Sequence, residues 1–308
     1  MDIVTGGLGF IGNELVRQLK ASGRKVAIID NENRIAPQLD DIKDVPRYVV
    51  NITDADEIRK VFEEVKPERV FHLAAIHYIP ECNAQPEHTM HVNTEGTLAV
   101  LNAAVEHHCK HFIFASTGAV YHDSPLALCE ESVIAPVDVY GYSKWFAEEL
   151  CRWKSSGIQV TLCRLFNNIG LRETNAHIVP EIMSQLKQGN RILKLGNTTP
   201  IRDYISTKDT ASALIRLSHR VHSGCEVYNI ATGKGASVNA LVKEISFLLE
   251  EQITIETDTS RFRPADKEVQ LADISKLKRT LNWEPEQELK EVLLELLKFE
   301  GLIHTHGA

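Results

Sequence analysis

Short apolar runs alternate with stretches of helical periodicity through the first half of the chain. DIVTGG is an apolar run ending in a glycine turn, LGFIGNELVRQLKASG carries apolar residues at helical spacing, and KVAIID is a second buried run. Together they predict a strand, helix, strand unit. The rhythm continues through YVVNITD, a helix over residues 54–65, RVFHLAA, a helix over 94–107, HFIFAS, a helix opening at Tyr140, and QVTLCRLFN. Continuous rather than alternating apolar strands mean a parallel sheet covered on both faces, so the fold class is α/β, a doubly wound (Rossmann) sheet.

Beyond residue 166 the rhythm changes. A helix over 179–188 is followed by short elements, the turns TPIRDYIS and SRFRPAD, and one more apolar strand in EVYNIATG. We expect one domain over residues 1–166, rejoined by a segment near 201–232, and a smaller domain that is mainly residues 167–308. No Gly/Ser linker separates them, so the two parts should pack around a cleft.

The stretch YGYSKWFAEEL carries its own geometry. At about 100° per residue, Tyr140 and Lys144 lie within about 40° on one helix face, while Tyr142 points about 200° from Tyr140. Tyr142 falls instead near Phe146 and Trp153. With Trp145, Ala147, Leu150 and Cys151 the apolar arc is wide enough to cover the sheet on one side and a partner on another, which predicts a homodimer.

Length and composition narrow the class. A chain of 308 residues, 43% hydrophobic, has ample material for about two domains. MDIVTGGLGFIG has no basic segment before an apolar run, and no stretch approaches the roughly 20 apolar residues that span a bilayer, so a soluble cytoplasmic protein is expected. A net charge of -8 argues against nucleic acid or an acidic membrane as partner. The six cysteines form no C-x-x-C pair and are read as free thiols. His88 with His91, and His107, His108 and His111, lack a carboxylate or cysteine at metal-site spacing, so no metal is expected.

Gly6, Gly9 and Gly12 follow a strand and open a helix. There the missing side chains let the backbone approach a pyrophosphate at the helix N-terminus. Asp30 ends the second strand, where a carboxylate accepts both hydroxyls of an adenosine ribose and repels a 2'-phosphate, favouring NAD over NADP. Arg202 and Arg263 present planar forks suited to phosphate oxygens, or else pair with Asp203 and Asp266.

TGGLGFIG, the Asp30 strand end, NITD, FHLAA, NTEGT, STGAVY, YGYSK, RLFN, RDYI, RPAD and LNWEP occur in that order over nearly the whole chain. In this the sequence resembles the extended short-chain dehydrogenase/reductases, and within them the nucleotide-sugar epimerases and dehydratases of the UDP-glucose 4-epimerase type. The resemblance implies NAD as cofactor and a nucleotide diphosphate sugar, such as a UDP-sugar, as substrate. It makes Thr117, Tyr140 and Lys144 the catalytic set. Gly6, Gly9, Phe10, Ile11 and Gly12, with Asp30 and Asn31, would hold the dinucleotide. Asn51 and Ile52 would meet adenine, although aspartate is usual at Asn51, and Leu73, Ala74 and Ala75 would line the cofactor. Asn93 is assigned to the cofactor site through its support of the active-site helix. Asn167, Arg202 and Arg263 match positions that hold the substrate diphosphate. His77, Tyr78 and Cys82 fall at the sugar end, where serine is more usual than Cys82; His77 is open as a substrate contact, an acid or a packed ring.

The implied chemistry needs a base. An alcohol gives up hydride when its proton leaves at the same time, and a tyrosine lowered from about 10 to about 7 requires roughly 4 kcal/mol of favourable interaction. Lys144 and a positive nicotinamide are expected to supply it, giving a 4-keto sugar. Familiar dehydratases carry Thr-Asp-Glu where this chain has Thr117, Gly118, Ala119, which favours return of the hydride (epimerisation) over elimination of water. A 4-keto-sugar reductase and a non-catalytic NAD-binding sensor or scaffold are the other readings.

Overall fold

The runs DIVT, VAIID and HFIFAST bury every residue, because helices cover both faces of the sheet they form. The structure, a computed structural model, describes residues 1–262 and 267–303, so Arg263 and its expected phosphate contact lie outside the described residues. In chain order the first half is β1 (Asp2–Thr5), α1 (Phe10–Ala21), β2 (Val26–Asp30), β3 (Arg47–Val49), α2 (Ala55–Val65), β4 (Arg69–His72), α3 (Ile79–Ala84), α4 (Pro86–Met90), α5 (Thr97–Glu106), β5 (His111–Thr117), α6 (Val139–Lys154) and β6 (Gln159–Leu165). The second half is β7 (Asn167–Ile169), α7 (Ile178–Lys187), β8 (Ile192–Leu195), β9 (Ile201–Ser206), α8 (Thr207–Ser218), β10 (Cys225–Ile230), β11 (Gly235–Ser237), α9 (Val238–Leu249), β12 (Thr254–Thr257), β13 (Val269–Gln270), α10 (Ser275–Leu281) and α11 (Leu289–Phe299).

Seven parallel strands in the order β10-β6-β5-β4-β1-β2-β3 form the main sheet. This is the doubly wound α/β fold, and its order reverses between β1 and β4. Ligands of such sheets bind in the crevice outside the carboxyl ends at that reversal. Leu15 and Leu19 of α1 and Leu214 of α8 pack with Val4, Ile28 and Phe71 on one face. Ile58 and Phe62 of α2 and Leu101 of α5 pack with Ile3, Ile29 and Phe112 on the other. Of the segment 201–232, β10 pairs with β6 in the main sheet, whereas β9 pairs with β7, β11 and β13 in a second, four-stranded sheet. Around that second sheet Ile182, Leu193, Tyr204, Leu241 and Leu293 build a separate core.

Two local departures from the sequence pattern shape the cleft. The helix read over 94–107 starts earlier, as a π-helical segment over His91–Gly96 that runs into α5. Such wide turns mark functional sites, and this one carries Asn93. The other departure is a buried ion pair made by a helix whose sequence reads as apolar over a wide arc. Arg164 of β6 donates through Nε to Glu148 Oε1 of α6 at 2.9 Å and through Nη2 to Oε2 at 2.7 Å, with side chains 2% and 0% exposed. Ser116 Oγ donates to the same carboxylate. The pair ties α6 to the sheet beside the cleft. Glu148→Ala leaves a buried guanidinium without its counter-ion, so it should cost about 3–5 kcal/mol; a loss under about 1 kcal/mol in chemical denaturation would contradict this.

Candidate active site

At the reversal of strand order, the first glycine turn closes on the loop after β4. Gly6 has φ +69°, and a Cβ there would stand 2.8 Å from Ala74 N. Thr5 Oγ1 accepts from Leu73 N and Ala74 N at 3.2 Å each and meets His72 Nδ1 at 2.8 Å, while His72 Nε2 meets Thr97 Oγ1 at 2.9 Å. Burial drives His72 down to about 3, with the Lys144 charge adding to it, so it serves as a neutral tether between strands and α5.

Beside this junction lies a cavity of about 1480 Å3. Pockets for drug-sized ligands run to about 1000 Å3, so this one has room for a dinucleotide and a second ligand. Gly6, Gly9, Phe10, Ile11, Gly12, Asp30, Asn31, Asn51, Ile52, Leu73, Ala74 and Ala75 line one end. His77, Thr117, Tyr140, Lys144, Asn167 and Arg202 line the rest. Every residue read from the sequence as a site residue therefore faces this cavity, except two. Arg263 is outside the described residues. Asn93 is buried behind the wall: its Oδ1 accepts from Ile76 N at 2.8 Å, and its Nδ2 donates to Ile76 O at 2.8 Å and Ser143 Oγ at 2.9 Å. It braces the loop after β4 against α6 and does not line the cavity.

The dinucleotide end passes a direct chemical test. Gly9 caps α1 with no side-chain hydrogen bond, so the first-turn N–H groups receive nothing from a capping side chain, as an anion site requires. Gly12 allows the closest approach: a Cβ there would stand 2.0 Å from Gly6 O. Asp30 Oδ2 accepts from Leu8 N at 3.0 Å and Oδ1 from Glu32 N at 2.9 Å. Burial nevertheless raises its pKa, with those bonds opposing. Each oxygen keeps a further lone pair, enough for the two hydroxyls of a ribose. Asn51 is less committed to a base than expected, since its Oδ1 accepts from Thr53 N at 3.1 Å and shapes the turn into α2.

The catalytic candidates converge from β5 and α6. Asp138 caps α6 by accepting from Gly141 N at 2.7 Å, and the helix then carries Tyr140 and Lys144 on the face toward the cavity. The Thr117 side chain faces the Tyr140 phenol. Burial pushes the phenol well above its ordinary value, only the Thr117 hydroxyl pulling it down. Lys144 is 2% exposed, its Nζ lies 4.1 Å from the centre of the Phe114 ring, and burial lowers it to about 7 against the pull of Cys151 and Glu148. The expected lowering of Tyr140 by Lys144 is not what this arrangement gives. The nearby charges acting on the phenol are Cys82 and Asp138, both of which raise it, while the lysine rests on Phe114.

Among the cavity residues, Lys267 and Arg34 carried no usable signal in the sequence. Lys267 donates to Tyr121 O and approaches Ala119 O at 3.5 Å. Arg34 donates to Asn175 Oδ1 and Glu81 Oε2, bridging the loop after β2 to the loop before α7. His77 Nε2 meets Asn175 Nδ2 at 2.9 Å, and burial first, then the His177 charge, lowers His77 to about 4. His77 is thus a neutral ring at neutral pH, which disfavours its reading as an acid. Asp203, the alternative partner considered for Arg202, accepts from Thr232 N and Gly233 N at 2.8 Å each and so belongs to the turn after β10.

The family model for GDP-mannose 4,6 dehydratase matches residues 3–296. The chain belongs to the extended short-chain dehydrogenase/reductases that modify nucleotide sugars. Within this family it is 30% identical to UDP-glucose 4-epimerase 2 of Arabidopsis thaliana, over 96% of this chain and 93% of that one. It is 28% identical to GDP-6-deoxy-D-mannose reductase of Pseudomonas aeruginosa, over 96% and 95%. Among solved structures, UDP-glucose 4-epimerase of Thermus thermophilus in complex with NAD superposes with a TM-score of 0.88, at 26% identity and covering 98% of this chain and 99% of that one. Family membership makes the chain an enzyme of the epimerase, dehydratase and reductase group.

Proposed function

We propose that the chain is an NAD-dependent nucleotide-sugar 4-epimerase acting through a transient 4-keto sugar. The observation that carries this is the meeting of Thr117, Tyr140 and Lys144 in one cavity with the glycine turn and Asp30. When bound, NAD supplies a hydride acceptor and a positive ring. The glycine turn and the α1 N-terminus would hold its pyrophosphate, Asp30 its adenosine ribose, and Lys144 its nicotinamide ribose. Tyr140 takes the proton from the sugar C4 hydroxyl at its Oη and later returns it. Thr117 orients the reacting oxygen. Asn167 and Arg202 hold the diphosphate while the sugar turns between its two faces. Residues 1–166 are the dinucleotide part and 167–308 mainly the nucleotide-sugar part.

Elimination of water is disfavoured by the residues after Thr117. Neither Gly118 nor Ala119 carries a carboxylate, and a Cβ at Gly118 would meet the Phe166 ring at 3.1 Å, so a larger side chain there needs that ring to move. The reading is tested by incubating the protein with candidate UDP-sugars and catalytic NAD and following products by NMR. We expect interconversion of C4 epimers; a stable 4-keto product or net consumption of cofactor would contradict it in favour of the dehydratase or the reductase.

A homodimer through α6 belongs to the same reading. Tyr142 and Phe146 are each 43% exposed and Trp153 68%, an apolar face left uncovered beside the active-site helix. A dimer is expected by light scattering at micromolar concentration, and a monomer would contradict this.

A further inference from the structure

Lys267 lines the cavity from the side of the second sheet. It stands just before β13, whose Val269 and Gln270 register with Ile201 and Arg202 of β9, and Ile201 N donates to Glu268 O at 2.8 Å. The segment thus lies beside Arg202, which the proposed function gives to the substrate diphosphate. Its ammonium nevertheless reaches the turn that follows β5, where it donates to Tyr121 O and stands 3.5 Å from Ala119 O. We propose that Lys267 is a positioning residue: it fixes the turn that sets the Thr117 hydroxyl and ties that turn to the sheet carrying Arg202.

Three observations carry the proposal. First, Thr117 is bound to its own turn. Thr117 Oγ1 accepts from Ala119 N at 3.1 Å, so the hydroxyl oxygen follows Ala119 and keeps its proton to donate. Second, the turn is short and lightly held. It is a single 3-10 turn over Gly118–Val120, a geometry with poorer hydrogen bonds than an α-helix, and its bond from Tyr121 N to Gly118 O is 3.3 Å long. Ala135 N holds Val120 O at 3.0 Å. These main-chain bonds end on Gly118 O and Val120 O, and the ammonium meets the alternate carbonyls, those of Ala119 and Tyr121.

Third, the turn is enclosed by the elements it must be aligned with. A Cβ at Gly141 would stand 3.0 Å from Ala119 O, and one at Gly118 would stand 3.2 Å from Gln270 Nε2. The helix that carries Tyr140 and the segment that carries Lys267 therefore close on the turn from two sides.

Burial works against the ammonium, and the charges of Asp138 and Asp123 offset it in part. A charged donor bonds a carbonyl roughly twice as strongly as a neutral one, which suits a short turn next to reacting atoms. There a misplacement of about 1 Å can cost about 100-fold in rate. Lys267 acts through the main chain of residues 119 and 121. The proposal rests on the reading of Thr117 as the hydroxyl that orients the reacting oxygen, and on no particular fate of the keto sugar.

The test measures kcat and KM on the full chain with NAD and UDP-glucose, or whichever candidate UDP-sugar the parent turns over. Epimers, keto product or reduced cofactor are read, as the parent forms them. Lys267→Met should lower kcat by about 10- to 100-fold and leave KM within about threefold, with NAD affinity and melting temperature near the parent's. Lys267→Arg, which keeps a charged donor, should recover part of the loss. Lys110→Met, at the other end of β5 on a side chain 75% exposed, should behave as the parent. The double variant shows whether the effect runs through Thr117. Lys267→Met should cost little more once Thr117→Ala is present, whereas a general packing role costs as much in both backgrounds. The methyl NMR signals of Thr117 and Ala119 need no turnover, and Lys267→Met should shift both. A full additional loss in the Thr117→Ala background, a rise in KM in place of a fall in kcat, or unmoved methyl signals would overturn the proposal. A parent without turnover would count against the proposed function, and the methyl signals would then decide this proposal by themselves.

Discussion

Tyr140→Phe lowers turnover by roughly 10²–10⁴-fold, the contribution of a positioned acid or base, with little change in the melting temperature. The phenol is the group at the Thr117 end of the cavity that can accept the alcohol proton, and removing its oxygen keeps the ring that fills the same space. The pH profile makes the assignment specific. Burial holds the phenol above its ordinary value, so in the parent the base form grows, and the rate with it, as pH rises. That rising arm should vanish in Tyr140→Phe while any residual rate stays flat. Near-parental turnover, or an unchanged profile, would remove Tyr140 from the chemistry.

Gly12→Ala should weaken NAD binding by about fivefold to above a hundredfold. Its new methyl would lie 2.0 Å from Gly6 O, 2.8 Å from Gly6 C and 2.9 Å from Gly7 Cα, all backbone, so no side-chain rotation relieves the clash. The turn must open. Overpacking of this kind costs about 1–3 kcal/mol, or about fivefold to above a hundredfold in affinity if it falls on the bound state. Gly157→Ala is the control, because the contacts there begin at an ordinary 3.4 Å. Equal NAD affinity for the Gly12 variant and its parent in equilibrium titration would contradict the role given to this turn.

The strands were legible because burial on both faces leaves an uninterrupted apolar run, as in VAIID and HFIFAST. Helix periodicity was enough to put Tyr140 and Lys144 on one face. The glycine turn and Asp30 were legible for a different reason: their spacing is fixed by the ligand they suit. Thr117 was reached only through resemblance, since nothing local distinguishes one threonine at a strand end. What stayed hidden is contact between distant loops. Arg34 sits in a polar stretch with no periodicity, and its bridge to Asn175 exists only once two loops close over the cavity. Glu148 reads as one more polar position of α6, yet it is fully buried against Arg164. Electrostatics were the least legible. The Tyr140 and Lys144 spacing suggested that the ammonium lowers the phenol, whereas burial lowers the lysine to about 7 and raises the tyrosine.

The central claim is that hydride leaves the sugar C4 and returns to the same carbon on its other face. The most direct measurement starts from a UDP-hexose carrying deuterium at C4, with NAD in catalytic amount and the products followed by NMR and mass spectrometry. The account predicts a mixture of the two C4 epimers that both retain the deuterium, with no accumulation of reduced cofactor. Loss of deuterium to solvent in the epimerised product, or a single keto product, would contradict it.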